Sequence, residues 1–406
     1  LSLKGVMSKT DAFQIKKVRE AGAIMLAKSN MAEFAFDPME TVNSLLPGYT
    51  RNPYALDRVT AGSSGGTAAA VAANFGAVGL GTDTGNSIRG PASHTSLVGI
   101  RSTMGLTSRD GIVPLFLDKD IGGPMARNVA DAVAIFDVIA GYDPNDPITA
   151  YTVGQVPATY TSFLRKDGLK GARIGIIRQP MYAKTNVESE DYKKVRAVMD
   201  KAINDLKSLG AELVEPITIP DVIERVSKAY DGNVFETEPA INAYLKQHSN
   251  APVRTFRDIL LSGKVVPSRM TALMNSVGKS TEDAGYVEVQ RIAESMRQVV
   301  LTLMADNKLD ALVYATFDHQ PVLIAPDVMT KPVIDDDRLG NNRQLSPILG
   351  FPAMTVPAGF TTDGLPIGIE FMARPFAEAT LFRLGYAYEQ GTHHRRPPAS
   401  TPALRN

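Results

Sequence analysis

Apolar residues recur along this chain at two spacings, and the alternation between them predicts the fold class. Ala172 to Ile177 is a short continuous apolar run, Ser189 to Leu209 repeats every three to four residues, and Ala211 to Pro216 is again extended. Strand, helix, strand in that order is a βαβ-like unit. Other segments follow the same rhythm. Asp11 to Ala21 carries Phe13, Ile15, Val18 and Ala21 at helical spacing, with Thr10 as N-cap and Gly22 as terminator. Ala23 to Leu26 then reads as a short buried strand. Arg127 to Ala140 is a helix with Val129, Val133, Phe136 and Ile139 inward and Gly141 at its C′ position. Thr281 to Asp306 is a long helix and Asp310 to Tyr314 a strand. Phe351 to Phe371 holds two strands joined at Asp363-Gly364, and Ala377 to Gln390 is a closing helix. The prediction is an α/β protein with a single large, mixed but mostly parallel, twisted sheet covered by helices on both faces.

Breaks in the pattern are few. Asn43 to Val59 is rich in Pro, Gly, Asn and Tyr and reads as a long irregular loop. Asp143-Pro144-Asn145-Asp146-Pro147 is a hard turn and the best internal boundary. Asp221 to Lys279 has weaker periodicity, and no internal repeat stands out.

Composition narrows the function classes. Across 406 residues, Lys+Arg and Asp+Glu balance at 43 each, so no nucleic-acid or anionic membrane footprint is indicated. Absence of cysteine removes disulfides, thiolate nucleophiles and Cys-based metal sites. The five histidines (His94, His248, His319, His393, His394) show no metal-ligand spacing, so neither metal nor cofactor is expected. His393-His394-Arg395-Arg396 with two prolines reads as a solvated tail, and His94 as a surface or core residue of a helix. No apolar run reaches membrane-spanning length. A cytoplasmic location is expected, although the start lacks Met and leaves a signal peptide open.

Two Gly/Ser loops carry the candidate chemistry. Gly62-Ser63-Ser64-Gly65-Gly66 runs into the Ala-rich, helix-forming Thr67 to Asn74. Taken alone it fits ordinary capping, a phosphate cradle without the Walker lysine, or a G-x-S-x-G elbow with Ser64 as nucleophile. After the predicted buried strand Ala77 to Gly81, the second loop spans Thr82 to His94, with Pro91 suited to the first position of another helix. In it Ser87 follows Thr84, Gly85 and Asn86, whose main-chain N–H groups can converge on one point. A serine beside clustered N–H donors is what acyl transfer needs.

The two loops, the helix and strand between them, and the motifs after them resemble the amidase signature family. Those motifs are Val98-Gly99-Ile100-Arg101-Ser102-Thr103, Asp120-Ile121-Gly122-Gly123-Pro124-Met125-Ala126-Arg127 and Gly141 to Pro147. Gly350 to Phe360, Gly364-Leu365-Pro366-Ile367-Gly368 and Arg374-Pro375-Phe376 continue the match near the C-terminus. The resemblance implies the amidase-signature fold over residues 1–406 as one domain. Its signature core covers about 1–147, a more variable pocket region about 148–309, and a completing sheet and helix about 310–406. It implies hydrolysis of an amide C–N bond by a Ser–cisSer–Lys triad. Ser87 would be the nucleophile and Ser63, after a cis peptide from Gly62, the bridging serine. The N–H groups of Thr84, Gly85, Asn86 and Ser87 would form the oxyanion hole, with Asp83 and Arg89 as structural supports. A neutral lysine would act as base through the bridging hydroxyl.

The sequence departs from the family pattern twice. The family's lysine lies N-terminal to the segment matching Leu1 to Gly5, and Lys4 and Lys28 fall at other positions. The expectation is that the catalytic lysine lies upstream of this chain. Second, Asn86 stands where the family has glycine, and asparagine is the residue that best tolerates positive φ in its place. The loop Gly85 to Pro91 with Ser93-His94 is similar to bacterial members that cleave carbamates (urethanases). A small-molecule amide or carbamate substrate is therefore implied, with no nucleic-acid or membrane partner and a monomer or homodimer. Alternatives are an amidotransferase amidase subunit with a partner protein, or a catalytically silent binding module. Pocket walls are expected from Met39 to Tyr49, Val113 to Asp118 and parts of Asp221 to Lys279. Leu115, Phe116 and Leu117 would favour an aromatic or alkyl acyl group.

Overall fold

The computed structural model describes residues 2–35, 43–44, 48–230, 234–324, 342 and 344–402. Two short strands, β1 (Asn43–Ser44) and β2 (Gly48–Tyr49), pair as a small antiparallel ribbon. Eight others form one sheet: β3 (Val78–Asp83), β4 (Val98–Arg101), β5 (Ile121–Ala126), β6 (Arg173–Ile177), β7 (Glu212–Ile217), β8 (Ala311–Ala315), β9 (Ala353–Phe360) and β10 (Pro366–Met372). Their spatial order is β3-β5-β4-β9-β10-β8-β6-β7.

The sheet is mixed, as predicted, but it is not mostly parallel. Only β6 with β7 and β6 with β8 run parallel, and the other five pairings are antiparallel. The physical reason lies in how neighbours are chosen. The helix between β3 and β4 returns the chain in the same direction, yet β5 inserts between these two strands and runs against both. β9 and β10 are a hairpin, closed where Gly364 takes a φ of +78°. Strand–helix rhythm reveals direction along the chain and says little about which strand will intervene.

Five helices matter for the site: α1 (Phe13–Glu20), α2 (Gly65–Ala72), α3 (Arg89–His94), α4 (Val129–Ile139) and α5 (Glu190–Ser208). Alternation along the strands sends side chains to two cores. Val313 and Ala315 of β8 join α4, α5 and the closing helix Glu378–Thr392, whereas Leu312 and Tyr314 face the helices Val222–Tyr230 and Ala284–Asp306. Helices thus cover both faces. Within α4, Val129, Val133, Phe136 and Ile139 are all buried, and Asn128 caps it by accepting from the Asp131 N–H.

Several local expectations change. α1 starts after Ala12 without a side-chain cap, so Thr10 does not cap it. Ala23 to Leu26 forms no strand, and Ile24 and Leu26 are exposed. Within Asn43 to Val59 the β1–β2 ribbon appears. The stretch after α2 reads correctly as a strand, but β3 is only partly covered up to its last residue, Asp83. The second loop is shorter than its composition suggests, because α3 begins at Arg89 and holds Pro91 as its third residue. Asp221 to Lys279 contains the helices Val222–Tyr230, Thr237–Gln247, Phe256–Leu261 and Pro267–Met274. The expected solvated tail lies against the body. His394 Nε2 is 2.8 Å from Asp205 Oδ2, and the Arg396 guanidinium stacks 3.8 Å above the Phe360 ring.

Candidate active site

The two serine loops meet at the carboxyl end of β3. Small residues on that strand allow α2 to lie close against it. A Cβ on Gly81 would sit 2.6 Å from Ser64 Oγ, so only glycine leaves room for the Ser64 hydroxyl. That hydroxyl is 3.3 Å from the Thr82 carbonyl, to which it donates, and accepts from the Thr82 N–H at 3.2 Å. Ser64 is thereby tied to the strand's backbone, which leaves it poorly placed for the elbow reading. Its own N–H donates to the Ser87 carbonyl at 3.2 Å, and this bond joins the first loop to the second.

Ser63 lies one residue earlier, after a Gly62–Ser63 peptide that is cis. It is 1% exposed, and its Oγ has no hydrogen-bond partner among the described residues. Lys4 and Lys28 are both exposed. Ser87 is 7% exposed. Among the described residues, the N–H groups of Thr84, Gly85, Asn86 and Ser87 donate to no acceptor. Four consecutive free donors just before a helix are unusual, because buried N–H groups are almost always paired.

What holds these donors in place is a buried charge network beneath the loop. Asp83 Oδ2 accepts from the N–H groups of Ile88 (3.1 Å) and Arg89 (3.3 Å) and from Arg89 Nε at 3.2 Å. Asp83 Oδ1 accepts from Arg101 Nη1 at 3.0 Å. Arg89 Nη1 pairs with Glu370, which also accepts from Tyr314 Oη at 2.9 Å. Arg89 Nη2 reaches the Gly85 carbonyl at 3.1 Å. The four charged side chains are fully buried and balance, two against two. Burial by itself would raise the Asp83 carboxyl, but Arg89 and Arg101 outweigh it and hold it below the usual carboxylate range. Burial pushes Arg101 down to about 10 against the pull of Asp83, and it pushes Glu370 up. Asp83 and Arg89 therefore form a buried brace beneath the loop.

Asn86 behaves differently from the expectation. It is absent from the positive-φ residues, so its backbone does not mimic glycine there. Its side-chain amide instead folds over Gly90, where any Cβ would collide with Asn86 Nδ2. Asn86 Nδ2 is buried without a hydrogen-bond partner among the described residues.

Ile112, Val113, Pro114, Leu115 and Leu117 form one wall of a small cleft at Thr84, the first of the donors, which Arg109 and Asp120 also line. Leu115 and Phe116 are 4% and 8% exposed, while Val113 and Leu117 are both 40% exposed. Only the latter two offer apolar surface freely. Of the segment Met39 to Tyr49, residues 39–42 and 45–47 lie outside the described residues. His94 is fully buried, stacked on Phe317 with ring centroids 4.1 Å apart, and belongs to the core. Sequence reasoning missed Glu370, Tyr314 and the contact between Asp120 and Thr84. Asp120 lies 36 residues beyond Thr84 and Glu370 lies 281 beyond Arg89, and nothing in their local context marks either pairing.

The family profile described as Amidase matches residues 1–382. The chain belongs to the amidase family. It is 33% identical to a probable amidase of Arabidopsis thaliana over 98% of this chain and 73% of that protein. It is 34% identical to a glutamyl-tRNA(Gln) amidotransferase subunit of Thermosynechococcus vestitus, over 94% of this chain and 78% of the relative. Among solved structures it resembles the native peptide amidase from Stenotrophomonas maltophilia, with a TM-score of 0.86, 32% identity, and coverage of 99% and 80% of the two chains. This amidase is an enzyme that hydrolyses amide C–N bonds. Among its described residues, no helix is long and apolar enough to cross a membrane.

Proposed function

We propose that this amidase works through an acyl-enzyme on Ser87, with Ser63 as the bridging serine. The observation that carries the reading is the run of free N–H groups from Thr84 to Ser87, ending on a serine whose carbonyl is held by Ser64. In this scheme Ser87 Oγ attacks the carbonyl carbon and passes its proton to Ser63 Oγ. Ser63 gives its own proton to a neutral lysine acting as base. The carbonyl oxygen becomes an oxyanion and takes hydrogen bonds from the loop. Collapse expels the amine, which takes the proton back from the lysine by the same route. Water then repeats the sequence on the ester, releasing the acid and restoring Ser87.

The Gly85–Arg89 brace supports this reading physically. A trans peptide points its C=O and N–H in opposite directions, so holding the Gly85 carbonyl down on Arg89 turns the Asn86 N–H up towards the substrate side. Ser63 Oγ is buried and bonds to no described residue, Ser87 included, so the relay requires the Ser87 hydroxyl to turn onto it when substrate binds.

We extend the proposal to carbamates, on the strength of the Gly85-Asn86-Ser87-Ile88-Arg89 loop. An aryl carbamate would lose its phenol by cleavage of the C–O bond, the phenolate taking the relayed proton, and leave a carbamoyl group on Ser87 that water then removes. The substrate is then a small-molecule amide or aryl carbamate with an apolar group in the cleft by Val113 and Leu117. The test is to assay the full-length enzyme on an anilide and an aryl carbamate side by side. Turnover of both supports the extension, and turnover of the anilide alone removes it. Turnover appearing only with a second protein chain would favour the amidotransferase alternative.

A further inference from the structure

One buried carboxylate in the site has no part in the scheme above. Strand register brings it there. Asp83 on β3 pairs with Ile121 on β5, so the next residue along β3, Thr84, stands across from the residue before Ile121, which is Asp120. Asp120 and Thr84 are each 6% exposed. Both oxygens of Asp120 are engaged, and on different structures. Oδ1 accepts from Thr84 Oγ1 at 2.5 Å, and Oδ2 accepts from the N–H groups of Leu115 and Phe116 at 2.7 and 3.0 Å. The Asp120 N–H also closes back on the Phe116 carbonyl at 2.8 Å. One side chain thus joins the first donor residue of the oxyanion loop to the wall of the adjoining cleft, which Thr84, Leu115 and Leu117 line together.

We propose that Asp120 is a positioning residue that locks Thr84 to the 115–117 wall, so that binding of an apolar acyl group in the cleft aligns the oxyanion hole. This rests on the Ser87 reading above. The physical argument is one of stiffness. A threonine at a strand end has two soft backbone dihedrals, and its N–H direction follows both. Fixing its hydroxyl to a carboxylate that is itself held by two main-chain N–H groups removes that freedom. The same carboxylate transmits movement, because an acyl group that presses on Val113 and Leu117 displaces the segment between them, whose Leu115 and Phe116 N–H groups are bonded to Asp120. Chain-length preference should therefore show in kcat as well as in KM. Asp118 faces the carboxylate from its own loop, and Arg101 and Arg109 from neighbouring segments; both arginines feel its charge.

Thr84→Val, Thr84→Ser and Asp120→Asn in the full-length enzyme test this. Two inhibitors serve as probes: a peptide aldehyde, which needs the oxyanion hole once it adds to Ser87, and the matching alcohol, which does not. Thr84→Val, which keeps its N–H but loosens it, should lose up to about 10²-fold in kcat, the lower end of the range for removing one oxyanion donor outright. Its affinity for the aldehyde should fall about tenfold, with that for the alcohol unchanged, and Thr84→Ser should recover most of both. The kcat advantage of a hexanoyl over an acetyl anilide should shrink in Thr84→Val and Asp120→Asn. Equal losses for aldehyde and alcohol, or no recovery with serine, would overturn the proposal even if Asp120→Asn fails to fold. Retention of fluorophosphonate labelling in Ser87→Ala would instead overturn the reading on which it rests.

Discussion

Arg89 donates to the carbonyl of Gly85, 3.1 Å away, from the first turn of the helix that follows the serine loop. The same guanidinium is held on its other edges by Asp83 and Glu370. A charge buried in this way is stable only while its partners remain, and it fixes one of the peptides whose N–H groups the proposed chemistry uses. Removing the arginine strands Glu370 in the core and leaves Asp83 with Arg101 as its one cation. Arg89→Met is expected to cost about 3–5 kcal/mol of stability, the usual range for breaking a buried ion pair from one side. The urea midpoint measures it, and an unchanged midpoint would show that the network does not brace the fold.

Ser87→Ala and Ser64→Ala separate the two possible nucleophiles. The first is expected to abolish fluorophosphonate labelling and turnover. The second removes a hydroxyl already committed to Thr82, so it should cost about 1–2 kcal/mol of stability and leave the enzyme active. Labelling that follows Ser64 would restore the elbow reading.

Ser63→Ala should retain the fold and lose about 10²–10⁴-fold in kcat, the range attached to losing a general acid–base relay. Because Ser63 Oγ bonds to nothing among the described residues, no structural bond is lost with it. A thermal midpoint unchanged beside a large kcat loss is the expected pair of results.

Glu236 gives a pH test that does not touch the serines. Burial first, and then the charge of Asp118, raise its carboxyl to about 7. It accepts from the Asp118 N–H at 3.0 Å and from the Tyr286 hydroxyl. A raised acid holds its proton in the folded state after the unfolded chain has lost it. Stability from this group is therefore greatest below the unfolded value near 4.5 and declines as pH rises to about 7. Glu236→Gln resembles the protonated acid. It should match the parent at pH 4.5 and melt about 2 °C higher at pH 8. A melting difference that does not vary with pH would reject the assignment.

Gly81→Ala tests how α2 is seated. The added Cβ would lie 2.6 Å from Ser64 Oγ and 2.8 Å from Ser64 Cβ, against a helix terminus with little room to retreat. The expected cost is about 1–3 kcal/mol, typical of overpacking, with slower fluorophosphonate labelling as the two loops part. Normal labelling would mean that α2 shifts without carrying Ser63 away.

Sequence alone determined the two serine loops, the resemblance to a family, and nearly every long element. Each of these is written locally: in Gly-Ser runs opening onto an Ala-rich helix, in the 3.6-residue period of Ser189 to Leu209, and in Asp363-Gly364 between two apolar runs. Short segments misled, as Ala23 to Leu26 did, because four apolar residues carry no period and can as easily lie exposed. What only the tertiary structure decided depends on which strands become neighbours. β5 lies between β3 and β4, and that single choice turns an expected parallel region antiparallel and sets Asp120 beside Thr84. β10 carries Glu370 under Arg89 from 281 residues away. Local pattern is a one-dimensional property of adjacent side chains, whereas strand pairing and buried charge balance are set by the packing of the whole chain.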